Sequence, residues 1–243
     1  MPAQFRTIRI NSRDEFDRLV EHMTQEAYRA RDNWDFLIAM QKASKEYVIE
    51  VNQTPTFWRL THRAHKDQLI LRLARLFDPN PDATSLGNLL WTMKEDVDAS
   101  TMFPPELAHL DRTELARDID QVSKANPTVE KLLTIRNKYL AHRDKGHVSA
   151  GGFPSSLHLD EKELFRLMTL AVDLLRKYGE RLPYRRPVSR QWDAQEFRKL
   201  LSLLRAGLNS KESRRAMNAR RAGCLVDMRH QDSNNVLLAL PLS

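Results

Sequence analysis

Apolar residues recur along this chain at three- and four-residue steps between short polar stretches, and this predicts helices almost throughout. Phe16, Leu19, Val20, Met23 and Ala27 define a first stripe. Trp34, Leu37, Ile38 and Met40 continue it, so one long helix or a kinked pair is expected. Thr54-Pro55 opens the next region, because threonine caps free amide groups and proline costs no hydrogen bond in a first turn. Phe57, Leu60, Ala64, Leu71, Ala74 and Phe77 supply its inward face, and Asp78-Pro79-Asn80-Pro81-Asp82 ends it. A short helix is expected around Ser85 to Val97, a loop from Ser100 to Pro105, and another helix from Asp111 to Lys124.

The next helix is the best delimited. Asn126 caps it, Pro127 sits in its first turn, and its pattern runs to Arg143. Gly146 and Gly151-Gly152-Phe153-Pro154 interrupt the chain. Asp160-Glu161-Lys162-Glu163 then resembles a capping box, opening a helix with Leu164, Leu167, Met168, Ala171, Leu174, Leu175 and Tyr178 inward. Pro183, Pro187 and the arginines up to Arg190 mark a boundary. Beyond it, Asp193 to Leu208 reads as one more helix with Phe197, Leu200, Leu201 and Leu204 inward, followed by a basic stretch to Arg221. Short connections between amphipathic helices argue for an all-α fold, an antiparallel up-and-down bundle over residues 1–182. Residues 183–243 form a basic, partly helical C-terminal extension, and its apolar end, Val236-Leu237-Leu238-Ala239-Leu240, would dock on the body or on another subunit.

Composition narrows the class. Of 243 residues, 41% are hydrophobic and 29% charged, with seven glycines, which suits a helix-rich globular protein rather than a disordered one. No apolar run approaches a membrane span, and the start has no apolar core of a signal-peptide kind, so a cytoplasmic location without membrane contact is expected. A lone Cys224 excludes an internal disulfide and a multi-cysteine zinc site. The net charge of +7 points toward polyanions such as RNA. That charge is uneven: Arg181 to Arg221 carries twelve Lys/Arg against Asp193, Glu196 and Glu212, so the body is slightly acidic.

Arg136-Asn137-Lys138-Tyr139-Leu140-Ala141-His142 is the stretch that carries chemistry. Arginine holds a phosphate with a permanent planar charge, and histidine trades a proton near neutral pH. Together they suffice for metal-free RNA cleavage, in which the substrate's own 2′-hydroxyl is the nucleophile. Val129, Leu133, Arg136 and Leu140 share one helical seam, so Arg136 interrupts an apolar row. An unpaired buried guanidinium is costly, so Arg136 should face an acid, a groove or a subunit interface. His142 lies six residues on, roughly 120° away around an ideal α-helix. A second copy related by a two-fold axis would add another Arg–His pair. The bland alternative is a cationic helix end that favours the helix dipole.

In its context, at the penultimate helix of a bundle before a glycine-containing loop, the heptapeptide resembles the signature of HEPN domains. That signature is an arginine, then Asn, Asp or His, with a histidine four to six residues after the arginine. The stretch from Arg136 to Asp144 and the stretch Leu73-Ala74-Arg75-Leu76-Phe77-Asp78-Pro79 are similar to the HEPN branch linked to abortive phage infection. The resemblance covers roughly Asp14 to Arg181. It implies a helical bundle that dimerises with its motif helices facing, acting as a metal-independent endoribonuclease in phage defence or as a toxin, with no cofactor. An antitoxin or regulatory partner is a further implication. On that resemblance Arg136 holds the scissile phosphate, His142 gives a proton to the departing 5′-oxygen, and Asn137 orients the pair. The products would be a 2′,3′-cyclic phosphate and a 5′-hydroxyl. Some toxin members carry a modified tyrosine two residues after the histidine; here that position is Asp144.

Further candidates are weaker. Arg143, with Arg214, Arg215, Arg220 and Arg221 of the basic stretch, would track RNA phosphates, or the stretch is a solvated helix or tail. His62 and His65 stand three apart beside Asp67, but no further ligand completes a metal site, so they read as exposed polar helix positions. Trp34, Trp58 and Trp91 read as core, and Trp192 as the better base-stacking candidate. A non-catalytic RNA- or protein-binding bundle, in which the Arg–His helix only forms a dimer interface, is the alternative to the nuclease.

Overall fold

A computed structural model describes residues 5–96, 111–141, 158–179 and 194–221. Its helices are α1 (Arg13–Glu46), α2 (Val48–Asn52), α3 (Pro55–Leu76), α4 (Leu86–Asp96), α5 (Arg112–Val122), α6 (Pro127–Ile135), α7 (Glu161–Gly179) and α8 (Ala194–Arg221). A π-helical turn, Arg136–Ala141, continues α6. Among the described residues there is no strand, so the expected all-α fold is what forms. The described residues fall into two compact units, one of 5–34, 66–96, 111–141 and 158–179, the other of 35–65 and 194–221.

In the first unit each helix turns one apolar stripe inward. Phe16, Met23 and Ala27 of α1, Leu69 and Leu73 of α3, Leu89 and Met93 of α4, and Leu132 of α6 are all fully buried. The local start signals work as their chemistry dictates. Asp111 accepts the Thr113 amide at 2.8 Å, and Asn126 accepts the Thr128 amide at 3.0 Å. Asp160 and Glu163 exchange hydrogen bonds at 2.7 and 2.8 Å, the reciprocal capping box expected at the head of α7. Glu163 also accepts from Lys131 Nζ at 2.9 Å, tying α6 to α7. Glu26, almost fully buried on α1, accepts from Arg72 of α3 at 2.7 Å and so compensates its own desolvation.

The residues ahead of α1 are anchored on α4. Phe5 is buried, the Arg6 amide donates to Asn88 Oδ1 at 3.1 Å, and the Ile8 amide donates to Thr92 Oγ1 at 2.7 Å. Gly87 admits the Phe5 ring: a Cβ added there would lie 2.1 Å from Cε1 of that ring. Gly87→Ala should therefore expel Phe5 and cost about 2 kcal/mol, the worth of one buried aromatic side chain. Chemical denaturation would read this as a lowered midpoint, and an added Phe5→Ala change should cost little more.

The second unit has a small aromatic core: Phe36, Met40, Ala43, Tyr47, Val51, Trp58, Phe197 and Leu201. Trp58 meets Phe197 edge-on at 5.9 Å between ring centres. Arg205 of α8 bonds the Glu50 carboxylate of α2 at 2.6 Å and lies over the Tyr47 ring at 4.2 Å. That hydrogen bond holds the Glu50 carboxyl below its usual range.

Several sequence expectations change here. Of the two arrangements expected for the first stripe, the long one forms, a single 34-residue helix α1. The first half of α3 is rotated from the predicted face: Trp58 and His62 are buried, while Phe57, Leu60 and Ala64 are exposed. Trp58 wins the inward position because the aromatic pocket with Phe197 rewards the larger buried ring. His62 is thus a core residue rather than an exposed one, and His65 stacks on Phe36 at 3.9 Å between ring centres, where burial lowers its pKa. Among the described residues no cluster of three potential metal ligands occurs. On α8 the buried pair is Phe197 and Leu201; Leu200 and Leu204, expected inward, are exposed. The helix also runs on through the basic stretch to Arg221 rather than stopping near Leu208.

Candidate active site

The site grows from the end of α6. After Ile135 the backbone widens into the π-helical turn that starts at Arg136. Such single π turns are rare and occur frequently at functional positions. A turn closed by i→i+5 hydrogen bonds also takes more residues to come round than an α-helix.

Arg136 does face an acid, and the acid is Asp78. One η nitrogen of Arg136 pairs with Asp78 Oδ2, while its Nε donates to Asn137 Oδ1 at 2.9 Å. The Arg136 and Asp78 side chains are 19% and 20% exposed. That is the middle ground in which an ion pair is neither washed out by solvent nor sealed from a ligand. Asn137 is exposed and is tied to Arg136 by that bond.

Asp78 is positioned from below. Its Oδ1 accepts the Asn80 amide at 3.1 Å, and Asn80 Oδ1 accepts the Asp82 amide at 3.1 Å. These two side-chain turns stiffen Asp78-Pro79-Asn80-Pro81-Asp82. Asn88 of α4 then fastens the whole turn: its Nδ2 donates to the carbonyls of Asn80 and Ala83, each at 2.8 Å. From sequence, Asp78 was a helix stop and part of a family-like stretch, not a site residue. The available signal was Arg136 itself, a cation in an apolar seam that required an acid from elsewhere in the fold.

His142 and Arg143 lie outside the described residues, as do Asp144 and Trp192. Arg214 and Arg215 are exposed on α8 in the second unit. Arg220 and Arg221 fall within the same helix. Of the tryptophans read as core, Trp34 and Trp58 are buried and Trp91 is half-buried. An open surface depression lined by Trp34, Asp160, Glu161, Lys162, Phe165 and Arg166 contains none of the motif residues. No described helix is long and apolar enough to cross a membrane.

The first unit, helical throughout its described residues, with α6 ending in an Arg–Asn pair and followed there by α7, is consistent with a HEPN-like bundle. The chain belongs to the AbiU2 family of HEPN domains, whose model matches residues 13–198. It is thus a member of the abortive-infection branch of HEPN proteins. Neither the curated proteins nor the solved structures contain a match to the chain.

Proposed function

We propose that this chain is a metal-independent endoribonuclease that acts in phage defence or as a toxin and works as a homodimer. The observation that carries the reading is Arg136: a guanidinium held by Asp78 and Asn137, partly exposed, at the widened turn that leads into His142. Among the described residues Nε and one η nitrogen are engaged, and the other η nitrogen would donate to a phosphate oxygen. A planar fork held in this way stabilises charge that develops on a phosphorane without reorganising first. In the proposed reaction the 2′-oxygen forms a bond to phosphorus as the bond from phosphorus to the 5′-oxygen breaks. His142 gives its proton to the departing 5′-oxygen. The 2′-hydroxyl proton passes to a second histidine supplied by a two-fold partner. Arg143 and, separately, the basic arginines of α8 would hold RNA phosphates.

The same pairing supports a second reading. An arginine already engaged by Asp78 is also a structural fastener, and the bundle would then bind RNA or protein without cleaving it. RNA cleavage in EDTA by wild type and by His142→Ala separates the two. The nuclease reading expects cyclic-phosphate and 5′-hydroxyl ends from wild type and a loss of about 10²-fold or more in the variant. Equal rates, or no cleavage by either, leave the binding module.

A further inference from the structure

On α8 one face is apolar and faces open space. Leu200, Leu203 and Leu204 are 49%, 63% and 41% exposed, and a Cβ added at Gly207 would meet nothing within 4 Å. At 100° per residue these four positions fall on one side of the helix, together with Glu196 at its head and Lys211 toward its tail. Glu196 and Lys211 are both exposed. The buried pair Phe197 and Leu201 points to the core of the unit, so this second stripe is left over after the fold has formed.

We infer that α8 is a self-association surface that pairs antiparallel with α8 of a second copy. The argument is the register. A two-fold axis between Leu203 and Leu204 places Leu200 of one copy over Gly207 of the other. The missing Cβ there leaves a recess for a leucine knob. The same axis sets Glu196 of one copy against Lys211 of the other, and symmetry makes each contact twice. Parallel pairing would instead oppose Glu196 to Glu196 and Lys211 to Lys211. A lipid surface also accepts exposed leucines flanked by cations, but it gains nothing from a glycine recess and repels an acid on the apolar side. This surface is independent of the nuclease reading and of any contact between the motif helices.

Disulfide trapping tests it in the full chain, with Cys224→Ser as background. An equal mixture of Leu200→Cys and Gly207→Cys chains should form the mixed dimer several-fold in excess of either like pair. In the antiparallel arrangement like positions lie about 10 Å apart along the axis, too far for a disulfide. Sedimentation supplies the second arm. E196K and K211E should each weaken association about tenfold, since each opposes like charges at two symmetric contacts, and E196K/K211E should recover it. A predominance of like-pair crosslinks would overturn the register. Failure of the charge swap to restore association would overturn the pairing. So would an intrachain crosslink between Leu200→Cys and Leu238→Cys, which would give the face to the chain's own C-terminal segment. Binding of anionic vesicles that Leu203→Asp abolishes, with no mixed dimer, would assign the face to membrane instead.

Discussion

Arg136→Ala should lower RNA cleavage by on the order of 10²–10³-fold while the protein stays folded, because it deletes the guanidinium proposed to stabilise charge on the phosphate. The stability cost is smaller. Asp78 loses a partner at a position that is about one-fifth exposed, and water can replace part of what is lost. Arg136→Lys should recover little activity. An ammonium group is a point charge and cannot bond Asp78, Asn137 and a phosphate along three fixed directions. Asp78→Asn tests how the guanidinium is held. The amide keeps the shape and one acceptor but removes the negative charge that competes with RNA for Arg136. KM should fall, because the arginine is more available to phosphate, and kcat should fall about tenfold, because its orientation is no longer held. Single-turnover cleavage over a range of RNA concentrations separates the two constants. If Asp78→Asn and Arg136→Ala leave both constants unchanged, the ion pair is only a structural tie between the end of α6 and the turn after α3.

Many element starts and stops are legible in the sequence, because caps and breakers act within a few residues. Asn126-Pro127, Asp111, and the Asp160/Glu163 exchange are such local events, and each forms as its chemistry dictates. Faces were less readable. On α3 two stripes compete, Phe57-Leu60-Ala64 and Trp58-His62, and only the tertiary pocket around Phe197 decides between them. On α8 the leucines of the run Leu200-Leu201-Ser202-Leu203-Leu204 spread over roughly 160° of the helix circumference, wider than one buried stripe needs, so periodicity alone cannot choose which leucines go inside. For the site, the sequence showed that Arg136 needed an acid but not which one. Asp78 is 58 residues away, and no local rule relates a turn after α3 to the end of α6. The π turn was equally hidden, since no residue signal distinguishes it from the α-helix that Asn126 and Pro127 begin.

The largest effect on stability should come from Asn88→Ala, far from the motif in sequence but at the base of the turn that carries Asp78. Asn88 is fully buried, and its side chain satisfies three backbone groups at once: the Arg6 amide, the Asn80 carbonyl and the Ala83 carbonyl. Truncation removes all three bonds, and each part-buried group left without a partner costs up to about 1–3 kcal/mol, less where water reaches it, as it can at the exposed Arg6 and Asn80. A total near 3 kcal/mol follows, and for a chain of this size a fall in Tm of roughly 6–12 °C. Asn88→Asp should be worse, because it keeps the acceptor for the Arg6 amide but aims a buried carboxylate at two carbonyl oxygens. The turn should loosen before the bundle melts. Hydrogen exchange of the Asn80 and Asp82 amides in Asn88→Ala should therefore speed up more than exchange in α6. Cleavage measured well below the lowered Tm should also fall, since the turn that fixes Asp78 against Arg136 is no longer fastened to α4. A variant that melts early, yet cleaves at the wild-type rate while folded, would show that Asn88 serves the fold alone and that the Asp78 turn holds its place without it.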